Sequence, residues 1–207
     1  MTDDQKYRMR LVRAHMDYIT AEINDVDSMI ESMISSDTDY QNAIQLLCTI
    51  PGVKHDSAIT IISEIGIDMS QFCNSKRLCC WAGLTPGNNE SAGKKKSVRI
   101  SHAGVYLKPL LVQVALNSIR DSSNNYFTIK YNRLKKRRGH KKAIIAIARM
   151  ILVSIYHILN TGELFHPYDF DELSNPIFKD HSSSSTNSLN ENDAVLYLQS
   201  LGYTLTK

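Results

Sequence analysis

The sequence predicts a mostly α-helical chain, on three observations. Apolar residues recur at helical spacing in several separate segments, no alternation of strand and helix patterns marks a βαβ unit, and Gly, Pro, Asn and Ser cluster where the apolar runs stop. With 207 residues, 43% hydrophobic and 22% charged, the chain is long enough for a substantial core and ordinary in composition. The expected layout is a coiled-coil helix over 1–36 and a helical, helix-hairpin-helix-containing domain over 40–168 with one short β-ribbon around 84–101. An acidic, Ser-rich tail over 169–207 follows.

The first helix rests on a heptad. Val12, Met16, Ile19, Ile23, Val26, Ile30 and Met33 alternate spacings of four and three, which keeps one narrow seam apolar, as a coiled coil requires. The same residues could serve an amphipathic helix folded back on its own domain. The narrowness of the seam favours a partner helix, and hence a homo-oligomer. Ser35-Ser36-Asp37-Thr38-Asp39 breaks the pattern and supplies cap residues for the next helix.

A short helix over about Gln41–Thr49 then meets Pro51-Gly52, and a second runs from about Asp56 to Ile65 with Ala58, Ile61, Ile62 and Ile65 on one face. This is the outline of a helix-hairpin-helix, whose glycine turn leaves backbone N–H groups and a helix N-terminus open to phosphate. The motif's usual second glycine is replaced by Lys54, itself able to contact a phosphate, so Gly52 and Lys54 are candidate nucleic-acid contacts. A plain helical hairpin in the core would read the same way.

Further along, Ser75–Ala82 fits a short helix stopped by Gly83, and Thr85-Pro86-Gly87-Asn88-Asn89 is a loop. The basic ribbon leads to a helix over about Tyr106–Ser118 and a break at Asp121–Asn125. A basic helix over Tyr126–Arg138 stops at Gly139, and a long helix over about Lys141–Asn160 ends at Gly162. Beyond Pro167 the chain turns acidic, then Ser-rich from His181 to Asn192, a linker composition, and Asp193 could cap a short helix to Leu201.

The net charge of +3 conceals a concentration. Residues 94–149 carry fifteen Lys/Arg and one acid, Asp121, whereas 1–40 carry four basic and nine acidic residues and 150–207 two and seven. Solvated faces mix signs, so a block of this size with a single acid points to a polyanion, most commonly nucleic acid. Lys94, Lys95, Lys96, Arg99, Lys135, Lys136, Arg137, Arg138, Lys141 and Lys142 are the candidate contacts. Met1-Thr-Asp-Asp begins no signal peptide, and the longest apolar stretch, Ala143 to Tyr156, is too short to span a bilayer and contains Arg149. A soluble, cytoplasmic protein without a membrane partner is expected. Cys48, Cys73, Cys79 and Cys80 form no CxxC pair or metal-ligand spacing, so no metal site is expected and buried free thiols are.

Metal-dependent phosphoryl transfer needs clustered carboxylates, which the basic region lacks. A serine nucleophile is the other route to cutting a phosphodiester: it needs a hydroxyl on an approachable turn and cations for the pentavalent transition state. Among 22 serines, Ser91 is flanked by Gly87-Asn88-Asn89 and Ala92-Gly93 and followed by Lys94-Lys95-Lys96. A loop that merely grips phosphate is the alternative.

The run IPGVKHDSAITIISEIG, followed by SKRLCCWAGLTPGNNESAGKKKSVRISHAGVYLKPLLVQVA, resembles the C-terminal domain of the insertion-sequence one-ten family of transposases, the recombinases guided by a bridge RNA. RGHKKAIIAIARMILVSIYHILNTGELFHPY is similar to that domain's closing helix, so the likeness covers about residues 42–168, and the heptad before it resembles the family's coiled-coil linker. The resemblance implies that Ser91 is the nucleophile, that the lysines after it lie near nucleic acid, and that DNA and a structured guide RNA are partners. In the family this serine acts with four acidic, metal-binding residues of an N-terminal RuvC-type domain. The resemblance therefore implies an N-terminally truncated fragment that lacks this half. Mg2+ is therefore expected only with that domain, no cofactor is expected in this chain, and the chain alone is expected to be catalytically inactive. A non-catalytic helix-hairpin-helix protein that regulates a full-length transposase is the competing expectation.

Overall fold

A computed structural model describes residues 1–87, 99–121 and 126–169 in full and the backbone of 89–91 and 94–97, and among these residues it shows seven α-helices and one small ribbon. It divides into two compact units, Met1–Tyr168 and Asp169–Lys207. The expected Ser-rich linker and the short helix from Asp193 to Leu201 lie outside the described residues, as do 122–125 of the expected break.

Helix α1 spans Asp3–Ser35 and is built from local interactions. Thr2 and Gln5 form a capping box, with Thr2 N–H donating to Gln5 Oε1 at 3.0 Å, and Asp3 and Asp4 place negative charge at the positive end of the helix dipole. Lys6–Asp3, Arg8–Asp4 and Arg13–Asp17 pair along its surface, each worth a few tenths of a kcal/mol, about 0.2–0.5. No residue of α1 is buried. Its C-terminal end touches the following helix, and Glu31 lies 3.4 Å from His55.

Asp37 accepts from the Asp39 N–H at 2.9 Å and starts α2, Thr38–Cys48, three residues earlier than the apolar pattern alone indicates. Helix α3, His55–Ile65, buries the four residues expected on its face, Ala58, Ile61, Ile62 and Ile65. A single 3-10 turn, Met69–Gln71, which the periodicity does not reveal, leads to α4, Ser75–Trp81. Strands β1, Asn89–Ser91, and β2, Lys94–Ser97, pair antiparallel, and helices α5, Leu107–Ser118, α6, Tyr126–Arg138, and α7, His140–Thr161, complete the unit.

The core is organised by α7. Ala143, Ile144, Ile147, Ala148, Ile151, Leu152, Ile155 and Ile158 are buried, and their spacing defines a face wide enough to receive α2, α4, α5, α6 and the 3-10 turn. Each large side chain there contributes roughly 1.5–3 kcal/mol relative to exposure. Gly162 ends α7 in the left-handed conformation, and the chain then doubles back. Phe165 stacks on Phe127 with ring centroids 5.6 Å apart, meets Tyr126 edge-on, and donates its N–H to Thr49 Oγ1 at 3.0 Å.

The expectation for the apolar stretch needs one addition, and that for the cysteines a correction. The apolar stretch beginning at Ala143 belongs to a 22-residue helix, which by length and composition could cross a membrane. Its apolar face is instead occupied by neighbouring helices, as befits the centre of a bundle. The cysteines are not uniformly buried: Cys79 is, but Cys48, Cys73 and Cys80 are exposed. Burial pushes the Cys79 thiol up, away from the thiolate form.

Because Leu152 is fully buried at the centre of this face, Leu152→Ala should destabilise the protein by about 3 kcal/mol. Urea unfolding followed by circular dichroism checks this, and a shift of the midpoint without a change of slope is the expected form.

Candidate nucleic-acid interface

The predicted contacts fall into three groups, each positioned by a different backbone device. The first is the Pro-Gly hairpin between α2 and α3. Ile50 O accepts from Val53 N–H at 3.0 Å, Pro51 takes the second turn position and Gly52 the third with φ +86°. This is the signature of a type II turn. A Cβ on Gly52 would come within 2.7 Å of both Val114 O and Ser118 N, so the glycine also lets the turn pack against the end of α5. Lys54 is exposed at the N-cap of α3 and makes no capping hydrogen bond. An open cleft of about 450 Å³ runs beside the hairpin, lined by Cys48 to Lys54 together with Asn117 and Asp121.

The second group is the ribbon. It leaves the core where two backbones cross: a Cβ on Gly83 would overlap the Ala103 carbonyl oxygen, and one on Gly104 would overlap that of Ala82. Only glycine permits this approach. Lys108 secures the crossing by donating from Nζ to Ser101 O at 2.8 Å and Ala103 O at 2.7 Å. Above it, Pro86 bridges Ile100 and Gly87 N–H donates to Arg99 O at 2.9 Å. The register then sets Ser91 opposite Lys94 and Glu90 opposite Lys95. Ser91 and Lys94 are thus the last and first residues of the two strands, on either side of the hairpin end.

The third group is the elbow between α6 and α7. Lys135, Lys136, Arg137 and Arg138 form the last turn of α6, where cations suit the negative end of the helix dipole. Lys141 and Lys142 sit in the first turn of α7, at the positive end, where cations are disfavoured. All six are exposed, and none forms an ion pair among the described residues. Such a cluster is held together against its own repulsion, and a polyanion relieves that strain. The elbow is pinned by Tyr131, buried at 8% exposure, whose hydroxyl lies 2.7 Å from His140 Nδ1. Lys135 Nζ stands 5.6 Å from the Tyr131 ring centroid.

The structure therefore brings Gly52 to Lys54, Ser91 to Lys94–Lys96, and Lys135–Arg138 to Lys141 and Lys142. Among the described residues no three His, Cys, Asp or Glu side chains are grouped so as to hold a metal ion. Sequence reasoning did not single out Lys108, Tyr131 or His140. Lys108 is hidden in a basic block and spends its charge on carbonyl oxygens; Tyr131 and His140 meet because of the direction the chain takes at Gly139, where the sequence marks a stop but not the geometry of the turn.

The chain is similar in sequence to several known proteins. Residues 44–132 match the model of the transposase IS116/IS110/IS902 family. The chain is 27% identical over 146 residues to the transposase for insertion sequence element IS1111A of Coxiella burnetii, covering 69% of this chain and 39% of that protein. It is 29% identical over 154 residues to an uncharacterized 42 kDa protein of insertion element IS900 from Mycobacterium paratuberculosis, covering 72% and 36%. It is also 26% identical over 147 residues to a pilin gene-inverting protein of Moraxella bovis, covering 69% and 45%. The chain spans less than half the length of these curated relatives.

If about six phosphates are engaged, log affinity for duplex DNA should fall with log salt at a slope of about −5. Replacing Lys135, Lys136, Arg137 and Arg138 with Gln should weaken binding to all sequences alike and flatten the slope to about −2. Fluorescence anisotropy across a salt series measures both, and a slope unchanged by the four substitutions would remove the elbow from the interface.

Proposed function

We propose that this chain, whose residues 44–132 carry a transposase domain of the IS116/IS110/IS902 family, is the DNA-gripping and serine-bearing module of an insertion-sequence recombinase. The observation that carries the reading is the ribbon: Ser91 at the hairpin end, opposite Lys94 and next to two further lysines. In this reading Ser91 Oγ attacks a backbone phosphorus, the strand's own hydroxyl leaves, and a protein–DNA phosphodiester forms. Attack by a free strand hydroxyl reverses the step, so strands are rejoined without an external energy source. Lys94, Lys95 and Lys96 supply positive charge to the pentavalent transition state, and the elbow and Lys54 hold the duplex by its phosphates. A structured guide RNA, the second polyanion implied by the family likeness, would draw on the same cations.

No set of carboxylates among the described residues suits Mg2+, so no step is assigned to a metal in this chain. A carboxylate-rich domain acting alongside Ser91 would supply it. The apolar seam of α1, with Val12, Met16, Ile19, Ile23, Val26 and Met33 all exposed, is the surface through which we expect copies of the chain to associate.

Two measurements test this reading. Ser91→Ala should leave folding and DNA affinity nearly unchanged and abolish the covalent protein–DNA adduct formed when the acidic domain is supplied in trans, as seen on a denaturing gel with labelled DNA. An adduct that survives the substitution moves the nucleophile elsewhere; no adduct from any combination, with DNA binding intact, favours the purely regulatory reading. Separately, analytical ultracentrifugation should find the intact chain at twice its 23.4 kDa mass or more, and the chain lacking 1–36 as a monomer. Two monomers would end the proposal for α1.

A further inference from the structure

Between the ribbon and α5 the chain displays an aromatic side chain in a place where folding gains nothing from it. Tyr106 is 73% exposed and its neighbour Val105 is 70% exposed. Their backbone is nevertheless held on both sides. Gly104, two residues before Tyr106, is locked against Ala82 at the crossing, and Leu107, immediately after it, is fully buried. Lys108 adds its two hydrogen bonds to the Ser101 and Ala103 carbonyls. Tyr106 thus stands exposed on a shoulder whose backbone is already ordered, so engaging a ligand there costs little conformational entropy.

The charge of the adjoining sequence points to the kind of ligand. Residues 94–107 contain four Lys/Arg, Lys94, Lys95, Lys96 and Arg99, and no acid. Cations along a backbone track combined with an exposed aromatic side chain is the pairing that binds single-stranded nucleic acid, where phosphates meet the lysines and a base stacks on the ring. Bases of an intact duplex present no free face to such a ring. Ser91 lies eight residues from Gly83 along the chain, which puts it at most about 29 Å from the crossing. If Ser91 is the nucleophile, strand exchange would open DNA within that distance. We propose that Tyr106 is a stacking platform for an unpaired DNA base, an inference that rests on the reading of this chain as a DNA-gripping module.

The test uses the full chain with a single-stranded DNA oligonucleotide containing 2-aminopurine, the same sequence as duplex, and the same sequence as single-stranded RNA. Tyr106→Ala should weaken binding to the single-stranded DNA about five- to tenfold at every salt concentration, with the salt slope and the duplex affinity unchanged, because stacking releases no counterions. Tyr106→Phe and Tyr106→Trp should restore affinity, and Tyr106→Leu, which keeps bulk without a π face, should not. Should Tyr106→Ala fail to fold, the Phe and Leu variants alone decide the matter. The 2-aminopurine emission should change on binding wild type and not on binding Tyr106→Leu. If Leu and Phe bind single-stranded DNA equally well and with normal salt dependence, Tyr106 is no platform while the DNA reading stands. If wild type binds none of the three nucleic acids, both fail. An effect confined to the RNA would overturn the assignment to DNA.

Discussion

Everything described in the helical unit depends on the burial of α7. Its apolar positions run in two adjacent rows, Ala143-Ile147-Ile151-Ile155 and Ile144-Ala148-Leu152, so a single neighbouring helix cannot cover them. Several partners are needed, and α2, α4, α5 and α6 meet that need from different points along its length. A wide apolar face on one helix therefore makes a bundle of the rest of the chain. The small residues Ala143 and Ala148 within the rows let neighbours come close, and the Ile and Leu side chains fill the space between them.

That burial also decides where charge can go. The apolar rows of α7 begin at Ala143, one residue after Lys142, so the lysines of its first turn remain outside the core. The hydrogen bond between Tyr131 and His140 then sets how α6 arrives at the same corner, bringing four more cations to two that already face an unfavourable helix dipole. The arrangement opposes local electrostatics, which is the usual mark of a surface shaped for a ligand and not for stability alone.

The ribbon solves a different problem, that of projecting a polar, cation-rich segment away from an apolar core without leaving its backbone groups unsatisfied. The two strands supply one another's hydrogen bonds, the glycine crossing lets them leave side by side, and Lys108 satisfies carbonyls at the root. Lys108 shows why a count of basic residues overstates an interface: a lysine that stabilises carbonyl oxygens is part of the scaffold. Val105 and Tyr106 lie just beyond this root, so a single structural device holds in place both the serine-bearing hairpin and the exposed aromatic side chain.

The sequence by itself determined the elements and the chemistry they carry. Heptad and helical periodicities, the Pro51-Gly52 and Gly139 stops and the basic block with its single acid are local properties of the chain, and the helices at 55–65, 75–81, 126–138 and 140–161 follow from them to within one residue. Asp37 as a cap and Ser91 in a turn-forming setting were legible for the same reason. Tertiary structure alone decided which of these features meet. That α7 is covered by α2, α4, α5 and α6, that three of four cysteines are exposed, that Gly52 is needed for contact with α5, that Tyr131 reaches His140 and that Lys108 holds the ribbon are all consequences of packing between distant segments. Periodicity reports which face of a helix is apolar; what covers that face depends on the shapes and positions of other elements, which no window of neighbouring residues contains.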